Sequence, residues 1–346
     1  MRLVGVDATG TEDACVLDKG FALGPSNATE AAAIASWNIN SVRVPLNEDC
    51  WLGINGVPPK YSGVRYQTKI EMWVSALNQA GIVAILDLQW AAPGTDEAIR
   101  LWPMADADHS ITFWSQVASA FSSSPSVMFD LFNEPSMGKQ HPTAANWACW
   151  LNGCQFSFVP SGSTSVVTYQ TAGMQQLLDA VRATGAAQPV MVGGLDWAGD
   201  PCGVGDAGGN GGTCMWLDQE PNDPLHQLIL SFHSYAGKYC STVSCWTDSV
   251  LPVAANVPVV TGELGEKDCA TTYISAYMQW ADQHDISYLL WAWEPGHQDD
   301  TTSTNCSNQN LRLISNWNGA TNTLAPAGAV FKAHLNSLAE SGALSK

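Results

Sequence analysis

The sequence predicts a closed (β/α)8 barrel, and three observations carry that expectation. Eight apolar runs of strand length recur along 346 residues, helical patterns fill most of the gaps, and polar side chains gather where the runs end. Strand and helix alternating in this way imply a parallel sheet, whose strands are covered on both faces and therefore read as near-continuous apolar stretches. A doubly wound open sheet is the alternative, and the absence of GxGxxG after the first run speaks against it.

The first run is Leu3-Val4-Gly5-Val6-Asp7. Pro25-Ser26-Asn27-Ala28-Thr29-Glu30 then forms a cap-rich entry to an alanine-rich helix over 30–37. The second run, 40–46, carries Arg43 inside an apolar frame, where a cation needs an anionic partner. A helix over 64–80 stops at Gly81, and the third run, 82–90, ends in Gln89 and Trp90. Residues 108–122 show a helical apolar face through Phe113, Val117, Ala120 and Phe121. The fourth run opens at Val127 and breaks off in Asn133-Glu134-Pro135. A helix over 169–184 precedes the fifth run, 189–194, and the sixth is 228–235, containing His233 and Tyr235. The seventh, Val257 to Glu263, is followed by a helix over 271–284; the eighth, 286–293, contains Trp291 and Trp293, and a helix over 326–340 closes the ring.

No linker or charge block divides the chain, so one domain over 1–346 is expected, with insertions at 137–165 and 199–223. The first insertion follows a barrel strand and is a candidate rim of a binding cleft. The second is rich in glycine but lacks the Lys-Ser/Thr ending of a phosphate loop. Ten cysteines read as five disulfides of an exported protein: Cys149 with Cys154, Cys202 with Cys214, Cys240 with Cys245, Cys15 with Cys50, and Cys269 with Cys306. Sequence alone does not fix the pairing. No CxxC or HxxxH spacing supports zinc, and neither a metal nor a cofactor is expected. The chain begins directly on a strand, which suggests an export leader already removed and a secreted location. Asn27-Ala28-Thr29 and Asn305-Cys306-Ser307 are glycosylation sequons, relevant in a eukaryotic host.

The 14 Lys+Arg against 32 Asp+Glu give a net charge of -18, which argues against nucleic acid and anionic membranes as partners. No run of about 18 apolar residues spans a membrane. A low charged fraction of 13% beside 15 Trp suits a neutral, polyhydroxylated ligand met by a monomer. Trp37, Trp73 and Trp114 fall on apolar helix faces and are expected in the core. Trp51, Trp90, Trp102, Trp147, Trp150, Trp216 and Trp246 lie in strand-end or loop regions, from which some are expected to reach a ligand.

In a barrel the strand C-terminal ends share one face. Arg43, Gln89, Asn133, Glu134, His233, Tyr235, Glu263 and Trp291 therefore converge. Two glutamates delivered in this way can act as a pair across a glycosidic bond. Asp87 and Asp130 lie inside strands and read as internal hydrogen-bonding groups, and Glu294 as a loop residue.

With these motifs in order, the chain resembles a retaining glycoside hydrolase of family 5, the cellulase and mannanase family. Asn133-Glu134-Pro135 matches the family's acid/base motif and Glu263 its nucleophile; Arg43, His233, Tyr235 and Trp291 match supporting positions. The resemblance implies a double displacement in which Glu263 attacks the anomeric carbon and Glu134 protonates the leaving oxygen, with the carboxyls about 5 to 5.5 Å apart. It further implies that Asn133 bonds the sugar 2-hydroxyl, His233 orients the acid/base or a hydroxyl, and Trp291 faces the ring. Trp90 and Trp293 are candidate subsite residues, Trp293 sharing the face of Trp291 if no bulge intervenes. Gln89 departs from many members of the family, which carry a histidine there; an amide bonds a hydroxyl but cannot titrate. The expected activity is that of an endo-β-1,4-glucanase acting on β-linked polysaccharide or oligosaccharide. A β-mannanase or other β-glycanase is the first alternative. A carbohydrate-binding barrel with impaired catalysis and a metal-dependent hydrolase are alternatives of other classes.

Overall fold

The computed structural model describes residues 1–138, 142–160, 162–204, 214–267, 270–295, 311–317 and 325–344. Its strands, in chain order, are β1 (Val4–Asp7), β2 (Ser41–Asn47), β3 (Val83–Trp90), β4 (Val127–Asp130), β5 (Gln155–Phe158), β6 (Val167–Gln170), β7 (Val190–Gly193), β8 (Leu228–Tyr235), β9 (Val259–Gly265) and β10 (Ser287–Leu290). Eight of them close a parallel barrel in the order β1-β10-β9-β8-β7-β4-β3-β2. The expected fold is therefore the observed one, and each of the eight apolar runs supplies one barrel strand.

Parallel register places side chains of neighbouring strands on the same face, alternating along each strand. Ile85 pairs with Met128, and Met191 with Ile229; together with Leu3, Val260 and Leu289 they make an apolar cluster distinct from the larger core between sheet and helices. Two residues further along β3 and β4, Asp87 pairs with Asp130, and Arg43 pairs with Asp7. The barrel interior thus carries an apolar floor, a charged layer above it, and polar strand ends at the mouth.

The alternation breaks at one consequential place. Val260 belongs to the interior floor, so strict alternation would turn Glu263, three residues on, outward. The β8–β9 register shifts between Phe232 and His233, so that Phe232 pairs with Thr261 but His233 pairs with Glu263. The extra residue is Gly262, where a Cβ would come 2.9 Å from Ser231 Oγ and 3.1 Å from His233 Nε2. This bulge turns Glu263 into the barrel mouth and leaves room for the imidazole.

One expectation changes just after the first insertion. Residues 169 and 170 are not the start of the helix expected over 169–184; they belong to Val-Thr-Tyr-Gln at 167–170, rich in β-branched and aromatic side chains, which pairs as β6 against β5, and the helix begins at Met174. The hairpin packs Phe158 and Tyr169 edge-on against Trp102, at 5.3 Å each. It buttresses the loop that follows β3. Four of the five expected disulfides are present, Cys15–Cys50, Cys149–Cys154, Cys202–Cys214 and Cys240–Cys245. Cys269 and Cys306, with most of the glycine-rich insertion, lie outside the described residues. Among the described residues no helix is long and apolar enough to cross a membrane.

Candidate active site

A cleft of about 830 Å³ opens at the C-terminal ends of the strands, and Gln89, Trp90, Asn133, Glu134, His233, Tyr235, Glu263 and Trp291 all line it. Beneath them Arg43 is fully buried. Its guanidinium donates from Nε to Asp130 Oδ2 at 3.0 Å, from Nη1 to Asp7 Oδ1 and Glu263 Oε1 at 3.1 Å each, and from Nη2 to Asn133 Oδ1 at 2.9 Å. Gln89 Oε1 accepts a longer bond of 3.4 Å from Nη1, and Asp87 lies 3.0 Å from Nη2. One cation therefore faces Asp7, Asp87, Asp130 and Glu263, too many buried anions for one positive charge. Burial pushes the carboxyls of Asp7 and Asp87 well above the usual range, with Arg43 opposing.

The two glutamates share neighbours but not environments. Glu263 Oε1 meets Arg43, and its Oε2 accepts the Tyr235 hydroxyl at 2.6 Å. Burial raises its pKa, while His233, Arg43 and the Tyr235 bond favour the carboxylate. Glu134 Oε1 meets His233 Nδ1 at 3.1 Å, and its carboxyl is pushed up to about 7 by burial, with Arg43 and Lys238 opposing from a distance. His233 is itself held neutral, its pKa lowered to about 4 by burial. Its Nδ1 also lies 3.6 Å from Glu263 Oε2, and one oxygen of each glutamate lies within 4.8 Å of the other. That spacing suits a retaining pair and is too short for an intervening water, which needs roughly 6.5 to 9.5 Å between carboxyls. Burial keeps the Tyr235 phenol protonated, a donor to Glu263. Because Asn133 Oδ1 faces a guanidinium, its amide nitrogen is left to point elsewhere.

One expected residue does not join the site. β10 ends at Leu290, so the period-two rule does not extend to Trp293. Its ring is 1% exposed, lies 4.6 Å from that of Trp37, and donates from Nε1 to Glu30 at 2.7 Å. Trp37, Trp73 and Trp114 are core, as expected, and so are Trp51, Trp102, Trp147, Trp150, Trp216 and Trp246. Nor does the 137–165 insertion line the cleft among its described residues; the loop it supports does, through Arg100 and Leu101. Asp87 and Asp130 serve Arg43. Glu294 lines the cleft and accepts the Thr9 hydroxyl at 3.0 Å. Sequence reasoning missed Glu12, Trp197, Lys238 and Tyr239, which also line it. Trp197 follows a barrel strand as the recognised residues do, a signal available in the sequence.

The sequence matches the family model described as Cellulase (glycosyl hydrolase family 5) over residues 9–297. A comparison with curated protein sequences finds no match. Among solved structures, the chain is similar to an endo-β-1,4-glucanase from Xanthomonas axonopodis pv. citri, at 18% identity and a TM-score of 0.67, covering 98% of this chain and 99% of that one. XacCel5A in complex with cellopentaose gives 18% identity and a TM-score of 0.66, over 96% and 99% of the two chains. The catalytic domain of Thermobifida fusca endoglucanase Cel5A gives 16% and 0.64, over 97% and 92%. At these identities the likeness is one of fold.

Proposed function

This chain belongs to glycosyl hydrolase family 5, and from that premise we propose that it is a secreted, single-domain endo-β-1,4-glucanase working by double displacement. The observation that carries the mechanism is the asymmetry of the two glutamates: one is paired with a guanidinium and a phenol, the other sits against a neutral imidazole with its proton retained to about pH 7.

In the first step Glu263 attacks the anomeric carbon as a carboxylate, and the bond to the leaving oxygen breaks as Glu134 gives that oxygen its proton. A glycosyl ester on Glu263 results. In the second step Glu134, now a carboxylate, takes a proton from water, and the hydroxide so formed displaces Glu263, restoring both groups. Arg43 and Tyr235 hold the nucleophile and stabilise it as a leaving group. Asn133, fixed by Arg43, turns its amide N–H toward the sugar 2-hydroxyl. His233 orients Glu134, and Gln89, Trp90 and Trp291 meet the sugar on the side of the attacked ring. No step draws on a metal ion or a cofactor.

A β-1,4-glucan is the favoured substrate because similar folds include endo-β-1,4-glucanases and one complex with cellopentaose. Export is supported by four disulfides, which persist in oxidising compartments. Reducing-sugar release and viscosity loss on carboxymethyl cellulose, β-glucan, glucomannan and galactomannan test the proposal. Rapid viscosity loss on the glucans is expected; activity confined to galactomannan would overturn the glucanase reading in favour of a mannanase.

A further inference from the structure

Where β2 runs into the short helix Glu48–Leu52, three consecutive polar residues, Asn47, Glu48 and Asp49, are fully buried. They hold one wall of the cleft. Glu48 Oε1 accepts the Ala92 N–H at 3.3 Å and Asp49 Oδ2 accepts the Ala98 N–H at 2.8 Å, while Asn47 Nδ2 donates to the carbonyls of Ala98 at 2.7 Å and Glu12 at 2.8 Å. The segment gripped in this way runs from Trp90 to Asp106, and its Trp90, Arg100 and Leu101 line the cleft. Its far end returns to the same place. The hydroxyl of Ser110, at the start of the helix Ser110–Phe121, lies 2.5 Å from Glu48 Oε2 and 3.1 Å from Asp106 Oδ2, and all three side chains are buried. The remaining oxygens are occupied, Glu48 Oε1 by Ala92 and Asp106 Oδ1 by the His109 N–H at 2.8 Å.

A serine hydroxyl has one hydrogen to give. It serves one of the two carboxyl oxygens, and the other faces it lone pair to lone pair unless it brings a proton of its own. Two carboxyls so close in a dry interior do not both ionise without a large penalty. The geometry therefore calls for one proton, seated among Oε2, Oγ and Oδ2. Burial pushes both carboxyls up; Asp106 adds to the rise at Glu48, and Glu48 and His109 oppose it at Asp106. The other titratable groups facing the pair are Asp49, which burial raises to about 6, Asp108, with an oxygen within 4.8 Å of Asp106, and the Tyr169 phenol, which burial keeps protonated. We propose that Glu48, Ser110 and Asp106 form a clasp that shares one proton and positions the cleft wall from Trp90 to Leu101, and that loss of this proton releases the wall. As pH rises, Ser110 keeps one carboxylate and the other is repelled. Glu48 is anchored beside a barrel strand, so Asp106, at the end of the loop, is the one to move. Ionisation of Asp49 adds negative charge on the same rise. The hold is present in acid and lost toward alkali, the direction that raised carboxyls require.

The inference goes beyond the proposed function and rests on it only for the choice of ligand. S-linked cellotetraose, which is bound but not cut, is titrated calorimetrically into the Glu134→Gln enzyme, so that ionisation of Glu134 does not intrude. Its Kd should be about tenfold weaker at about pH 9 than at about pH 5. Glu48→Gln or Asp106→Asn, added to this background, supplies from its amide the donor that the shared proton provides and cannot lose it, so Kd should stay near the acid value at both pH values. In infrared difference spectra at about pH 7, either addition should remove the C=O band of one protonated carboxyl. A pH-independent Kd in the background enzyme, a full pH dependence kept in both variants, a Kd fixed at the alkaline value in both, or no band lost would each overturn the clasp. If one variant fails to fold, the other decides by the same two readouts. Absence of binding at both pH values would instead overturn the glucanase reading, and the infrared band alone would then decide the clasp.

Discussion

Tyr235 gives its hydroxyl hydrogen to Oε2 of Glu263 across 2.6 Å, and no equivalent phenol bonds Glu134 among the described residues. Two residues earlier on the same strand, His233 faces Glu134 instead. β8 therefore addresses both glutamates and treats them differently, which makes their roles separable by experiment. Glu134→Ala should lower kcat by about 10²- to 10⁴-fold on substrates with poor leaving groups, the usual contribution of a general acid. Glu263→Ala should remove turnover. Azide should rescue the first variant to a β-glycosyl azide and the second to an α-glycosyl azide, read by NMR; the opposite pairing would exchange the assigned roles.

The pH profile of kcat/KM should lose activity on its alkaline side with a midpoint near 7, where Glu134 gives up the proton it must donate. Lys238 favours the carboxylate form of Glu134. Removing that charge in Lys238→Gln makes the carboxylate harder to form, so the alkaline limb should move upward. A limb that moves down, or one absent below pH 9, would contradict the assignment.

Stability should also depend on pH, with opposing contributions. Burial raises Asp49 to about 6 and Glu134 to about 7, so their contribution is present in acid and is lost as pH rises from about 4 through 6 to 7. Asp223 runs the other way. Burial acts against its carboxylate, but Arg182 and the N–H groups of Gln227 and Leu225 prevail and lower its pKa to about 2, so its contribution is lost as pH falls from about 4 toward 2. Scanning calorimetry should place the highest Tm near pH 4 to 5, with a fall on the order of 5 °C by pH 8. A maximum above pH 7 would contradict this balance.

Within the charged layer, Arg43→Met and Asp87→Asn should differ sharply. The first leaves carboxyls buried without a counter-charge and should cost about 3 to 5 kcal/mol in urea unfolding. The second removes one acid from an oversupply, at a side chain whose oxygens accept no hydrogen bond among the described residues, and should change stability by less than about 1 kcal/mol. Comparable losses in both variants would mean that Asp87 is a required partner of Arg43.

Chelators should leave activity intact, whereas a borderline divalent cation such as Zn²⁺, which takes imidazole and carboxylate ligands, should inhibit, because Glu134, His233 and Glu263 each offer a donor atom within 4.8 Å of the others. Loss of activity in EDTA, restored by metal, would favour the metal-dependent alternative.

The barrel is legible in the sequence because its strands are covered on both faces and read as uninterrupted apolar runs. The convergence of Arg43, Asn133, Glu134, His233, Tyr235, Glu263 and Trp291 follows from that topology and from the family motifs. What local pattern does not convey is direction at irregular places. Alternation from Val260 points Glu263 away from the mouth, and only the added Gly262 reverses it. Alternation from Trp291 points Trp293 into the cleft, but the strand has already ended at Leu290. The β5–β6 hairpin packs through Tyr169 on Trp102, 67 positions earlier in the chain, a contact that no local pattern announces. The left-handed backbone at Asp196, Trp197 and Ala198, which presents Trp197 to the cleft, has no glycine to announce it.

The charged layer also bears on how the two ends of the chain are held together. Arg43 and three of its anionic partners, Asp7, Asp87 and Asp130, all belong to the first 130 residues, while Glu263 comes from the last third. The ion pair that holds the nucleophile is therefore also a tie between the late strand β9 and the early strand β2, which are not neighbours in the barrel. Loosening that one contact disturbs the reactive carboxylate and the closure of the barrel together.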